Sequence, residues 1–332
     1  MTGNRLRAVA VGLVLTGLIV VAFAWSLAIG DYDLPFGDVV KSLVGEGSAR
    51  TQYIVTELRL PRALVAVFSG AAFGASGAIF QAVARNPLAS PDIIGITAGA
   101  SAASVVGIVV LGASGPVVSA LAFGGSFVAA AAIYLLSWRH GTSGYRMVLV
   151  GIGISAFFSA VCGFLLVRAA QNELQRATVW LTGSLTGRQW EHVPVVAVCT
   201  MMLVPVAVLL GRSIHLLLLG DDLARVLGLR IELARGLLIL VGVALAATAT
   251  AASGPITFVA FVAPAIARIL VGSTLSILPS ALFGALLVLV ADFAGRSAAL
   301  GFALPVGVVT GIFGGAYFIY LLARAGRAGR GG

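Results

Sequence analysis

The sequence predicts an all-α polytopic membrane protein of about ten transmembrane helices. Three observations predict it. Of 332 residues 60% are hydrophobic and another 42 are Gly. Only 10% are charged, against roughly a quarter in soluble domains. The apolar residues also gather into long runs separated by short polar breaks, and a bilayer core about 30 Å thick takes about 20 apolar residues per helix. Ten such crossings fit the length, so residues 1–332 read as a single transmembrane domain.

The first run, 8–29, follows Arg5 and Arg7 as a signal peptide's apolar stretch would. It is too long for one, lacks a clean small-residue cleavage site and is followed by further spans, so it reads as a retained helix. The other runs are 62–83, 93–112, 115–137, 146–167, 193–211, 236–253, 256–271, 278–295 and 305–323. The run at 256–271 is short and carries Pro264, a break tolerated at membrane depth where protein or a water cavity covers it. Small residues recur at intervals of four in Gly70 and Gly74, in Gly95 and Gly99, and in Gly307, Gly311 and Gly315. In lipid such stripes let helix backbones approach closely.

Placing the cations alternately in the loops puts 13 on one side and 8 on the other. The richer side, with Arg85, Arg139, Arg146, Arg212, Arg225, Arg230, Arg235 and Arg268 among others, is the cytoplasmic one by the positive-inside rule. Both termini then lie in the cytoplasm. Topology accounts for the net charge of +9, and nothing in the pattern calls for nucleic acid.

Little in the chain could perform chemistry of its own. Its one Lys, Lys41, lies in no GxxxxGK[ST] string, so ATP is not bound through a P-loop. Cys162 and Cys199 stand far apart in apolar runs and read as small core residues, while His140, His192 and His215 fall in or beside separate loops and read as solvated. No metal-ligand spacing and no catalytic residue is indicated. Ionisable groups avoid the centres of the spans; Asp292 and Arg296 sit one turn apart near an outer end. Intramembrane charge is the mark of an ion relay, so this weakens an ion-coupled carrier. The pattern suits passage of a solute with energy supplied elsewhere.

Two loops stand out. The outer one, 168–192, carries Trp180 and Trp190 with Gly183 and Gly187, as a short interfacial helix with anchors would. The inner one, 212–235, contains Leu223, Val226 and Leu227 at helical spacing after Gly220, Asp221 and Asp222 and before Gly228. These are helix start and stop signals, and a short helix outside the bilayer either packs its own core or meets a partner.

The string RLPRALVAVFSGAAFGASGAIFQAVARNPLASPDIIGITAGA, from Arg59 to Ala100, closely resembles the most recognisable stretch of the FecCD-type permeases. WLTGSL (180–185), LGDDLARVLGL (219–229), GPITFVAFVAPAIAR (254–268) and LPVGVVTGIFGGAYFIYLL (304–322) follow in the family's order. The resemblance covers nearly the whole chain. Within the family, GAIFQ, RNPLASPD, Trp138-Arg139, Gly151 to Gly153 and GDD are most similar to the G-type subunit of ferric enterobactin permeases. The chain departs from the family at Ala265, where a His usually follows Pro264, and at Ala260, where Gly is common.

The resemblance implies a type II ABC importer permease bundle in a bacterial cytoplasmic membrane, moving a ferric siderophore. Haem or vitamin B12 is the alternative cargo, and an ion-coupled secondary carrier the alternative of another class. It implies as partners a second permease of the family, identical or different, two copies of an ATP-binding subunit that binds ATP and Mg, and an extracytoplasmic binding protein or lipoprotein. Residue by residue, it assigns Arg59, Arg62 and Arg296 to docking of the binding protein, through their match to outer-surface arginines of the family. Asn86, Leu88, Thr142 and Ser143 match positions narrowing the cytoplasmic exit. Gly220, Asp221, Asp222, Leu223, Ala224, Val226, Leu227 and Gly228 match the element seated in the ATPase. No cofactor or metal in this chain is implied.

Overall fold

The computed structural model describes residues 2–30, 32–138, 144–272, 276–296 and 303–328. Ten helices coincide with the ten apolar runs: α1 (Thr2–Ala28), α4 (Leu60–Ala84), α6 (Ile96–Val109), α7 (Pro116–Ser137), α8 (Gly144–Arg168), α10 (Val193–Leu209), α13 (Ile231–Ser253), α14 (Val259–Val271), α15 (Ile277–Arg296) and α16 (Val306–Ala328). By length and composition, seven segments built on these helices can each cross a membrane; α6, α14 and the apolar part of α16 are shorter. Shorter elements fill the connections. They are α2 (Phe36–Leu43) and α3 (Ala49–Gln52), α5 (Pro91–Ile94), α9 (Gln171–Leu181), α11 (Gly211–Leu218) and α12 (Asp221–Val226). A π-helical stretch, Tyr53–Arg59, leads from α3 into α4.

α4 is the centre of the bundle. It is enclosed by α10, α13, α14 and α15, and all but a few of its residues from Pro61 to Val83 are buried. Gly is what allows this. A Cβ on Gly70 would strike the carbonyl of Gly284, one on Gly74 that of Ser280, and one on Gly77 that of Ala260. In lipid the helices gain from such close backbone approach and from interhelical hydrogen bonds rather than from hydrophobic expulsion. Three such bonds converge on α4: Ser76 Oγ donates to the Gly242 carbonyl (2.7 Å), Gln81 Nε2 to that of Phe261 (3.1 Å), and Thr200 Oγ1 to that of Phe68 (3.3 Å).

The other small-residue stripes divide. Gly99 of α6 packs on Gly125 and Ala129 of α7, and Gly307 of α16 on the carbonyl of Thr182, whereas Gly315 meets nothing within 4 Å among the described residues. α14 begins within the bundle, after a non-helical 254–257 stretch and Phe258, whose φ of 66° is left-handed. The backbone break therefore lies just ahead of the helix, packed against the 180–184 segment and α16, and α14 runs unbroken through Pro264.

Candidate functional site

Charge gathers at opposite ends of α4. At its start, Arg62 closes on Asp292 with Nη2 to Oδ1 at 2.8 Å and Nε to both oxygens at 3.1 Å. Arg296, one turn beyond Asp292, pairs with Oδ2 at 3.2 Å and donates through Nη2 to Ser26 Oγ at 2.7 Å. The Asp292 side chain is 1% exposed, so a carboxylate shielded from water holds two guanidiniums, a charge-assisted arrangement of fixed geometry.

Arg59 behaves differently from an exposed docking residue: it is 8% exposed. Its Nη1 donates to the carbonyls of Leu27 (2.8 Å) and Ala28 (2.9 Å), and its Nη2 to that of Tyr32 (2.5 Å). It satisfies carbonyls that the end of α1 leaves without helical partners. The three arginines nevertheless share one crevice of about 370 Å³ with Gly30, Tyr32 and Arg188.

The 168–192 loop contains a short helix, α9, and the WLTGSL string then threads into the bundle. Ser184 N–H donates to the Ser253 carbonyl (2.9 Å) and Gly307 N–H to that of Gly183 (3.1 Å). Gly183 has φ of +68°, and a Cβ there would sit 2.7 Å from the Pro255 carbonyl. Trp190 Nε1 anchors the loop to the Thr56 carbonyl at 2.9 Å. His192 is not the solvated histidine the sequence suggested. Its side chain is 10% exposed, its Nε2 lies 3.2 Å from Arg188 Nη1, and burial, then the Arg188 charge, push its pKa down.

The far end of α4 carries the other group. Arg85, the left-handed residue that ends α4 (φ 50°), pairs with Asp221, the first residue of α12. Arg235 of α13, with a side chain 4% exposed, also reaches Asp221, at 3.0 and 3.2 Å, and lies 3.7 Å from Glu232. α12 runs between the foreseen glycines, Gly220 (φ +104°) and Gly228 (φ +83°). Asp221 and the buried Ala224 face the bundle, while Asp222, Leu223, Val226 (82% exposed) and Leu227 face away.

Of the residues matched to the exit, Asn86 Oδ1 accepts from Leu88 N–H at 2.9 Å, the self-closed turn typical of Asn before Pro. Both side chains are half-buried. Thr142 and Ser143 lie outside the described residues. In the same connection Asp92 of α5 is half-buried, with Oδ2 closed off from water. Burial raises its pKa to about 7, against the lowering effects of Thr97 and the Phe258 backbone, and Oδ2 has no hydrogen-bond partner among the described residues. No group of three or more His, Cys, Asp or Glu suited to a metal occurs among the described residues.

Sequence reasoning thus missed the Arg85–Asp221–Arg235 cluster, Arg188 with His192, and the burial of Asp92 Oδ2. Only the proximity of Asp292 to Arg296 was legible, through helical spacing.

Comparison with known proteins adds a lineage. The model of the FecCD transport family matches residues 18–324. The ferric enterobactin transport system permease protein FepG of Escherichia coli K12 is 40% identical, over 95% of this chain and 96% of its own. The iron(3+)-hydroxamate import system permease protein FhuG of Bacillus subtilis is 36% identical, over 93% of this chain and 95% of its own. A solved inward-facing structure of a transporter assigned to the metal-chelate ABC type superimposes with a TM-score of 0.84, at 29% identity, over 95% of this chain and 99% of that one.

Proposed function

The chain belongs to the FecCD transport family, and from that premise we propose that it is the membrane-spanning permease of an ATP-driven importer of ferric siderophores. It is a multi-pass permease of the inner membrane. Haem and vitamin B12 remain the alternative cargoes within the same mechanism. The cargo named for its relatives FepG and FhuG, ferric enterobactin and iron(3+)-hydroxamate, supports the siderophore reading.

The observation that carries the reading is α12. A six-residue helix outside the ten long ones turns Leu223, Val226 and Leu227 outward while Asp221 ties it to α4 and α13. Such a helix gives an ATPase an apolar seat and an ionic linkage by which rigid-body movement passes to the bundle. Gly220 and Gly228 set its ends, Asp222 borders the seat, and Ala224 fills the contact beneath. ATP and Mg are bound by that partner, in two copies, and this chain supplies no hydrolytic step. The termini and α12 then lie in the cytoplasm, in keeping with 13 cations against 8 in the loops.

At the outer end the crevice of Arg59, Arg62 and Arg296 receives acidic residues of a substrate-binding protein, Arg59 shaping its wall from within. At the inner end Asn86, Leu88, Thr142 and Ser143 narrow the exit. The cargo passes between this permease and a second one, identical or related. α8 and α16 leave Phe157, Phe164, Ile312 and Phe313 uncovered by this chain, surface that a second permease and the path would occupy. A ferric siderophore arrives with its metal already coordinated, so the path needs no metal ligand.

The test is uptake of radiolabelled ferric siderophore into proteoliposomes holding both permeases, the ATPase and the binding protein. Uptake is expected only with ATP inside the ATPase compartment and binding protein on the opposite side. Uptake that persists without the ATPase and collapses with an ion gradient would overturn the proposal in favour of a secondary carrier.

A further inference from the structure

The outer crevice holds four guanidiniums, and their commitments differ. Arg59 spends Nη1 and Nη2 on three carbonyls. Arg62 and Arg296 share the buried Asp292, which offsets much of their charge. Arg188 stands apart. Its Nε donates to the Ser184 carbonyl at 3.3 Å and its Nη1 faces His192 Nε2 at 3.2 Å. Its Nη2 has no protein partner, and no carboxylate lies within ion-pair distance of it, among the described residues.

Arg188 also borders a second cavity. Besides the 370 Å³ crevice it lines a neighbouring cavity of about 280 Å³ with Ser114, Ser119, Arg176, Trp180 and Ser184. Four positive groups against the single Asp292 leave the crevice cationic. A half-buried guanidinium with an idle donor and no carboxylate in ion-pair contact among the described residues fits a carboxylate, which it can orient as well as attract.

We propose that Arg188 is the outer arginine that takes a carboxylate side chain from the docking binding protein, with Arg59 serving to hold the end of α1. His192 positions it, fixing Nη1 from one side while the Ser184 carbonyl fixes Nε from the other, so that Nη2 points its hydrogens at the crevice. Burial pulls the pKa of Arg188 down and the nearby Glu191 lifts it again, and the group stays charged at any physiological pH. The inference rests on the docking function proposed above and names the residue that performs it.

The experiment uses the complete importer in nanodiscs, with the cognate substrate-binding protein as probe and docking affinity as the readout. R188E is expected to weaken docking about tenfold or more, the loss of about 1.4 kcal/mol, and R188K to recover part of it. A Glu→Arg change on the binding protein should restore the affinity of R188E, which a merely structural role would not allow. Wild type that docks normally while R188E and R188Q stay within threefold of it overturns the role of Arg188 and leaves the docking reading intact. Wild type that binds no binding protein overturns the docking reading itself. Should R188E fail to assemble, salt titration decides with R188Q: docking of wild type must fall more steeply with ionic strength, and equal slopes refute the inference.

Discussion

Replacing Asp221 by Asn should loosen α12 from the bundle without disturbing the spans. Asp221 receives Arg235 at 3.0 Å and also pairs with Arg85. The two arms differ in weight. Asp221 and Arg85 side chains are 39% and 37% exposed, so solvent screening leaves their pair only about 0–1 kcal/mol. Arg235 is nearly sealed from water, and stripping the partner from a buried charge costs about 3–5 kcal/mol. Here Glu232 stays 3.7 Å away and Asp221 is itself partly hydrated, so the sum comes to about 2 kcal/mol.

That figure translates into a measurable opening. Hydrogen exchange at residues 221–229, where the amides from Ala224 on bond within the α12 turn, for example Leu227 N–H to the Leu223 carbonyl, should accelerate at those bonded amides about 30-fold if 2 kcal/mol of tethering is lost. Amides in the middle of α4 should not change. In the assembled importer, ATP hydrolysed per chelate transported should rise, because the ATPase would then move a helix that no longer drags α4 and α13 with it. Exchange at 221–229 within threefold of wild type would refute the reasoning, as would equal acceleration in D221N and in D222N, since Asp222 faces away from the bundle.

Further outcomes follow from the same geometry. Asp292→Asn strips the shared counterion from Arg62 and Arg296 and should cost about 3 kcal/mol, read as a lowered unfolding temperature in detergent. The Asp92 carboxyl is raised from 3.8 to about 7, so its neutral form stabilises the fold fully below about pH 4 and that contribution is lost as pH rises through 7. Asp92→Asn should therefore flatten the pH profile of thermal stability and exceed wild type at pH 8, with an upper bound of about 4 kcal/mol for three pKa units. Gly77→Ala should force α4 from α14, at the roughly 1–3 kcal/mol typical of overpacking, whereas Gly315→Ala should be silent in thermal unfolding of the isolated chain.

The ten spans were legible because each needs only a long apolar run, and the cap glycines of α12 because Gly at helix ends answers a local backbone demand. Side-chain allegiance was not. Arg62 and Asp292 meet across 230 positions, and nothing local distinguishes an arginine aimed at a partner from one, like Arg59, turned onto the last carbonyls of another helix. The stripe at 307, 311 and 315 looks uniform in sequence, yet only Gly307 is pressed against backbone. Asp92 looked like any loop acid, because burial of a short connection depends on how α14 starts inside the bundle, which no periodicity encodes. The helices at 36–43 and 49–52 escaped notice for the opposite reason: their segment is polar and mixed, and their order comes from packing against the ends of α1 and the π-helical stretch.

Both ends of the molecule use one chemical device, an aspartate shared by two arginines, and α4 supplies one arginine to each. Arg62 stands at its start and Arg85 at its close. A helix of 25 residues is about 37 Å long at 1.5 Å per residue, enough to span the hydrocarbon core. Its glycines press backbone on backbone along α15 and α14, leaving no flexible side chains between to absorb a displacement. A shift of Asp221 therefore pulls directly on Arg85, and through α4 on the Arg62–Asp292 pair that walls the outer crevice. The two groups of charges are the ends of one strut, so in the proposed importer docking at one end and motor action at the other would act on the same element rather than through a chain of loops.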